Sequence, residues 1–230
     1  MRVEIYSDVV CPWCYIGKRR FEKALATFDR RDEIEVVWLP YQLDPTAPIA
    51  PSPVIDGYAR KFGGPQRAMQ IIEHVTSVAA EEGLDFHMEI AQRANTLSAH
   101  RVIWFAERFG AAVQDAVKER LLLAYFTEGR DVADHATLVE LAEQAGLRGS
   151  EVAELLAGEE GLGEVREQLA LAAVRGVSAV PTFILDGRFA IPGAQDPEVF
   201  VQMLERMATR HDLDLEAAAA GACDDEVCAV

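Results

Sequence analysis

At 230 residues, half of them apolar, the chain has the composition of a globular protein able to bury one large core or two small ones, and not that of a disordered segment. Its formal charge of −16 argues against nucleic acid and anionic membranes as partners, because both reward Lys and Arg. No apolar run reaches the ~18 residues of a membrane-crossing helix.

The first predicted strand, Val3-Glu4-Ile5-Tyr6, leads through Ser7 and Asp8 into Cys11-Pro12-Trp13-Cys14. Met1-Arg2 opens directly onto this alternating stretch without an apolar leader, so the expected compartment is the cytoplasm. There a close cysteine pair reads as redox-active or metal-binding rather than structural. An amphipathic helix from Tyr15 to about Phe28 starts straight after Cys14, which puts Cys11 at a helix N-terminus. Unpaired N–H groups and the helix dipole there favour a thiolate, and Pro12 suits the first helical turn. Cys14 lies on the same helix face, close enough to close a disulfide.

A β-branched and aromatic run from Glu33 to Leu43 predicts a second strand, parallel to the first. Asp44-Pro45, Pro48, Pro51 and Pro53 then break regular structure. From about Asp56 to Gly176 the sequence is helical almost throughout. One helix starts at Gly63-Gly64-Pro65 and another is capped by Asn95. Further helices are expected over Val113 to Phe126, from Asp134 or Thr137 to Ala145, after Ser150, and from Gly163 to Val174. Val177 to Ile191 is a hairpin turning at Asp186-Gly187, and a last helix follows Asp196-Pro197 to about Thr209. The order predicts an α/β protein divided into a strand–helix–strand half over 1–50, a helical insertion over 51–160, a helix–hairpin–helix half over 161–211, and a tail over 212–230.

This order resembles the thioredoxin fold with a large all-helical insertion. More narrowly, the chain is similar to the DsbA-like family and its cytoplasmic FrnE-type oxidoreductases. The resemblance rests on Ser7-Asp8-Val9-Val10-Cys11-Pro12-Trp13-Cys14 with Gly17, Leu43-Asp44-Pro45, Asn95 to His100, Gly176 to Phe183, and Ile191-Pro192-Gly193-Ala194-Gln195. It implies that Cys11 attacks and Cys14 resolves, and that Pro181 is cis. It also implies that the Val180-Pro181-Thr182 turn, with Trp13, receives an extended protein or peptide substrate through the main chain of Val180. No bound cofactor is expected beyond the redox-active disulfide, with glutathione as a thiol donor. The resulting function is reduction or isomerisation of protein or peptide disulfides.

Rival readings concern the same residues. Cys11 and Cys14 with Cys223 and Cys228 could make a zinc site, or the large helical insertion could serve a chaperone-type interaction. The Cys223/Cys228 pair is read chiefly as an accessory dithiol trading disulfides with the first, although its acidic neighbours Asp224, Asp225 and Glu226 raise thiol pKa values. The 2-hydroxychromene-2-carboxylate isomerases and kappa-class glutathione transferases share the insertion and the Val-Pro-Thr turn, but typically carry serine at the position of Cys11. They leave a glutathione-linked reaction on a small quinone- or polyketide-like substrate as the second enzyme reading. His100 reads first as a satisfied core histidine with a secondary place near the site. His74, His87, His135 and His211 show no spacing that suggests a metal.

Overall fold

Strand β1 (Arg2–Ser7) is central because its side chains from Val3 to Ser7 are buried except for Glu4, and it is paired along both edges. Strand β2 (Glu35–Pro40) lies parallel to it, with Ile5 opposite Trp38, and helix α1 (Pro12–Thr27) makes the crossover. On the other side β5 (Thr182–Leu185), buried at all four positions, runs antiparallel to β1, and β6 (Phe189–Pro192) closes the sheet order β2-β1-β5-β6. Asp186 and Gly187 between the last two strands take φ of 47° and 66°. The left-handed pair is what an Asp-Gly turn supplies. The computed structural model describes residues 1–47 and 52–224, of which 218–224 by backbone alone.

Between β2 and β5 the chain forms α2 (Val54–Phe62), α3 (Pro65–Glu81), α4 (Leu97–Glu107), α5 (Ala111–Phe126), α6 (His135–Gln144), α7 (Gly149–Ala157) and α8 (Leu162–Val174). A short antiparallel pair departs from two expectations: β3 (Ser52–Pro53) lies in the proline-rich segment expected to be irregular, and β4 (Gln92–Arg93) in the stretch expected to be helical. Strands of this length leave no periodicity in a sequence. The final helix α9 (Pro197–Asp224) passes well beyond the expected end near Thr209. No Gly or Pro interrupts it before Gly221, the run Ala217 to Ala220 has the highest helix propensity, and Arg30–Asp212 and Arg188–Asp214 ion pairs at 2.8 Å hold its flank.

The helices of the insertion do not stand apart from the sheet. One contiguous apolar cluster contains Val3 and Ile5 of β1, Tyr15 and Phe21 of α1, Phe86, and Leu121, Leu122, Tyr125 and Phe126 of α5. Phe86 stacks on Phe126 with centroids 4.4 Å apart, and Tyr15 lies 5.8 Å from Phe86. Helix α5 also closes the open edge of β2. Gln114, fully buried, accepts from the Trp38 N–H at 2.9 Å and donates to the Trp38 carbonyl at 3.1 Å, the pair of bonds a neighbouring strand would make.

Candidate active site

The end of β1 and the start of α1 bring the two thiols to the carboxyl edge of the sheet. Cys11 is the residue that caps α1, with extended φ and ψ of −93° and 112°, and Pro12 follows in the first turn. The Cys11 N–H donates to the Asp8 carbonyl at 3.3 Å and the Cys14 N–H to the Cys11 carbonyl at 3.0 Å, which folds the tetrapeptide into one tight turn. Both sulfurs are free thiols and both residues are buried. The Cys11 Sγ–H donates to the Val180 carbonyl at 3.6 Å across the fold.

The Val180–Pro181 bond is cis, in agreement with the expectation for Pro181. Thr182 Oγ1 donates to the Ala179 carbonyl at 2.8 Å, and the Gly193 N–H to the Pro181 carbonyl at 2.7 Å, so the turn is pinned from both sides. Gly17 lets it come close: a Cβ there would sit 2.9 Å from Pro181 Cγ and 3.4 Å from Ala194 Cβ. Trp13 is about one-third exposed, with its ring 6.1 Å from that of His74.

The electrostatics differ from the sequence expectation of a lowered Cys11. Sharing a proton with the neighbouring Cys14, and after that burial, pushes Cys11 well above its ordinary value. Burial also pushes Cys14 up, but the Cys11 hydrogen bond and the Lys118 charge outweigh it, and Cys14 is lowered. Desolvation and the second thiol therefore outweigh the helix dipole at Cys11. The first proton to leave belongs to the pair.

Beneath the thiols lies a buried polar layer. Asp8 accepts from the Leu43 N–H at 2.7 Å and from His100 Nε2 at 3.3 Å, and His100 Nε2 also donates to the Tyr41 carbonyl at 2.9 Å. His100 thus reaches the site through Asp8 and touches neither sulfur. Asn95 does not serve as the capping residue itself. Thr96 holds that position, while Asn95 Oδ1 accepts from the Leu97 N–H at 3.1 Å and Asn95 Nδ2 donates to the Pro45 carbonyl at 3.2 Å. It clamps the segment after β2 to α4.

Sequence reasoning missed the cation of this layer. Lys118 on α5 is 1% exposed and forms no ion pair among the described residues, and burial pushes it down to about 8. A signal was present: Gln114, Lys118 and Tyr125 fall on one stripe of α5, on the face that also carries Leu121 and Leu122. A polar stripe on an apolar face points to buried partners.

A cavity of about 670 Å³ opens beside Cys11, walled by α2, α3, the segment around Leu43 and the Ser178–Val180 turn. Cys11 and Trp13 line it and Cys14 does not. Among the described residues no group of three or more His, Cys, Asp or Glu is placed to hold a metal ion. Cys223 and Cys228 lie outside the residues whose side chains are described.

A mixed four-stranded sheet, a cysteine pair at the head of its first helix and a cis-proline turn facing that pair define a thioredoxin-fold dithiol protein. The chain belongs to the DSBA-like thioredoxin domain family, whose model matches residues 2–205. It is similar to a probable DsbA oxidoreductase of Streptomyces coelicolor, with 38% identity, a TM-score of 0.84, and coverage of 91% of this chain and 90% of that one. It is 29% identical over 202 residues to the uncharacterized protein YwbO of Bacillus subtilis, covering 87% of this chain and 94% of YwbO. The fold is also that of the cytosolic disulfide reductase DsbM of Pseudomonas aeruginosa, solved with GSH, at 19% identity and a TM-score of 0.64, covering 91% of this chain and all of DsbM. Family and geometry together support oxidoreductase chemistry on thiols and disulfides. No helix among the described residues is long and apolar enough to cross a membrane.

Proposed function

We propose that this protein is a cytoplasmic, FrnE-type thiol–disulfide oxidoreductase that reduces or isomerises protein and peptide disulfides, with Cys11 as the attacking thiol and Cys14 as the resolving one. The observation that carries this reading is the difference in access: Cys11 lines the cavity and faces the Val180 carbonyl, whereas Cys14 lies behind it. Cys14, the lowered thiol, takes the Cys11 proton as Cys11 attacks a substrate sulfur. The substrate S–S bond breaks and a Cys11 mixed disulfide forms. Cys14 then passes that proton to the departing sulfur, which leaves as a thiol, and attacks Cys11. The second sulfur leaves as a thiolate that water protonates, and a Cys11–Cys14 disulfide remains. Two electrons pass from the pair to the substrate. A glutathione-class thiol recharges the pair; the relative solved with GSH supports this choice. The Val180-Pro181-Thr182 turn receives the substrate backbone, and Trp13 forms the exposed wall.

Replacing Cys14 by Ser stops the second attack, so Cys14→Ser accumulates substrate joined to Cys11, visible on non-reducing gels and lost in Cys11→Ser. The reading fails if no adduct accumulates and the wild type neither reduces insulin nor reshuffles scrambled ribonuclease.

A further inference from the structure

The cavity beside Cys11 carries two phenols that the exchange chemistry leaves unused. Tyr58 on α2 and Tyr125 on α5 both line it, and Tyr125 is 1% exposed. Neither hydroxyl is hydrogen-bonded to any described residue. Burial, and then the Cys11 charge, raises the pKa of Tyr58; burial, and then Tyr58 and Asp8, raises that of Tyr125. Both therefore remain O–H donors at any physiological pH, and each feels its neighbour's charge across the cavity.

With no protein partner among the described residues, both hydroxyls open onto the cavity and are available as donors to a molecule bound there. Much of the rest of the wall is apolar, with Val54, Ile71 and Val75 among its residues, and Asp44 at its rim is neutralised by Arg93 at 2.6 Å. Two donors set in such a wall fit an oxygen acceptor on an apolar body. The volume falls in the range of about 300–1,000 Å³ typical of small-molecule sites. Arg60 and Lys61, exposed at the same cavity of a chain of charge −16, add attraction for an anion. A Cys11 that is only 3% exposed is reached through this cavity more readily by a small molecule than by a folded polypeptide.

We propose that the cavity is a site for small organic disulfides with an apolar body and a carboxylate or carbonyl oxygen, held by Tyr58 and Tyr125 with the S–S bond against Cys11. This rests on the exchange chemistry of Cys11 given above. The substrate disulfide is reduced to two thiols while Cys11 and Cys14 become a disulfide, which a glutathione-class thiol reduces again.

The test follows thiol release by the reduced full-length protein from 4,4′-dithiodibenzoate and from diphenyl disulfide, each rate divided by that of free glutathione with the same compound. The wild type prefers the carboxylate compound by about tenfold or more in kcat/KM, the worth of one good hydrogen bond to a charged group. Tyr58→Phe, Tyr125→Phe and the double variant lower this ratio stepwise toward unity, mainly through KM. A ratio that does not change, or an equal fall on both compounds, overturns the assignment of the two phenols. A wild type that releases thiol from neither compound while still reducing insulin overturns the small-molecule site alone. If insulin is also left intact, the Cys11 exchange reading falls with it.

Discussion

Two lysines approach the indole of Trp38, Lys18 at 5.9 Å and Lys118 at 5.5 Å from the ring centroid, and their surroundings give them opposite fates. Lys18 is desolvated, but Glu22, Asp115 at 3.1 Å and Glu119 at 3.0 Å surround its ammonium, and its pKa is raised. No carboxylate pairs directly with Lys118 among the described residues; burial outweighs the charges of Cys14 and Asp8 and pushes it down to about 8 against 10.5 for a free lysine, a difference of roughly 3 kcal/mol. Below pH 8 the folded and unfolded chains both carry this charge, and its full cost is present. Between pH 8 and 10.5 the unfolded chain holds a proton that the folded chain has released, so this group makes stability rise with pH. Urea unfolding of Lys118→Met should therefore show a gain of roughly 1–3 kcal/mol at pH 7 that disappears above pH 10.5. The same variant deprives Cys14 of its cation. Resolution of the Cys11 mixed disulfide should slow by about threefold for each pKa unit by which Cys14 rises above the working pH, since the smaller thiolate fraction is partly offset by a stronger nucleophile. Measured together, a stability gain and a slower resolving step identify Lys118 as a residue kept for its effect on Cys14, and equal resolution rates would refute that role.

At the scale of elements, the sheet depends on a side chain for one of its edges. Strand β2 is the outer strand on its side, and Gln114 of α5 meets both polar groups of Trp38 in place of a further strand. Gln114→Leu leaves a buried N–H and a buried carbonyl without partners, at about 1–3 kcal/mol each. The expected loss is about 2–4 kcal/mol in denaturant unfolding, with hydrogen exchange accelerated at Trp38. Unchanged protection at Trp38 would mean that the strand edge is held by something else. The sheet and α1 were legible in the sequence because their signals are local: alternation in β1, the helix opening at Pro12, and the Asp186-Gly187 turn. The thiol pair and the Pro181 turn were legible as motifs. Gln114, Lys118, Tyr58 and Tyr125 were not assigned, since their partners are supplied by segments distant in sequence and a polar residue on a helix face reads as solvated until its neighbours are known. The extension of α9 was missed for another reason: a helix with no breaker ends where tertiary contacts end, and Arg30 and Arg188 are remote from it in the chain.

For the whole molecule, the division into a thioredoxin-like frame and a helical insertion follows the order of elements but not the packing. Tyr15 of α1 stands against Phe86 and Phe126, and Arg20 and Lys23 of α1 both pair with Glu82 at 2.6 Å. Glu82 is nearly buried, so these contacts are less screened than surface pairs. The frame also supplies Cys11 and the Pro181 turn, while the insertion supplies Lys118 and most of the cavity wall; the site exists only where the two remain docked. A core shared in this way makes the insertion and the sheet one cooperative unit. Far-UV circular dichroism, dominated by the helices of the insertion, and tryptophan fluorescence, which reports Trp13 and Trp38 of the frame together with Trp104 of α4, should give coincident urea transitions with the same midpoint and slope. Phe86→Ala, placed in the insertion but stacked on Tyr15, should cost about 3–5 kcal/mol and shift both transitions equally. If the helical signal alone moves, the insertion unfolds as a domain of its own, and the active site is an interface between two units rather than part of a single core.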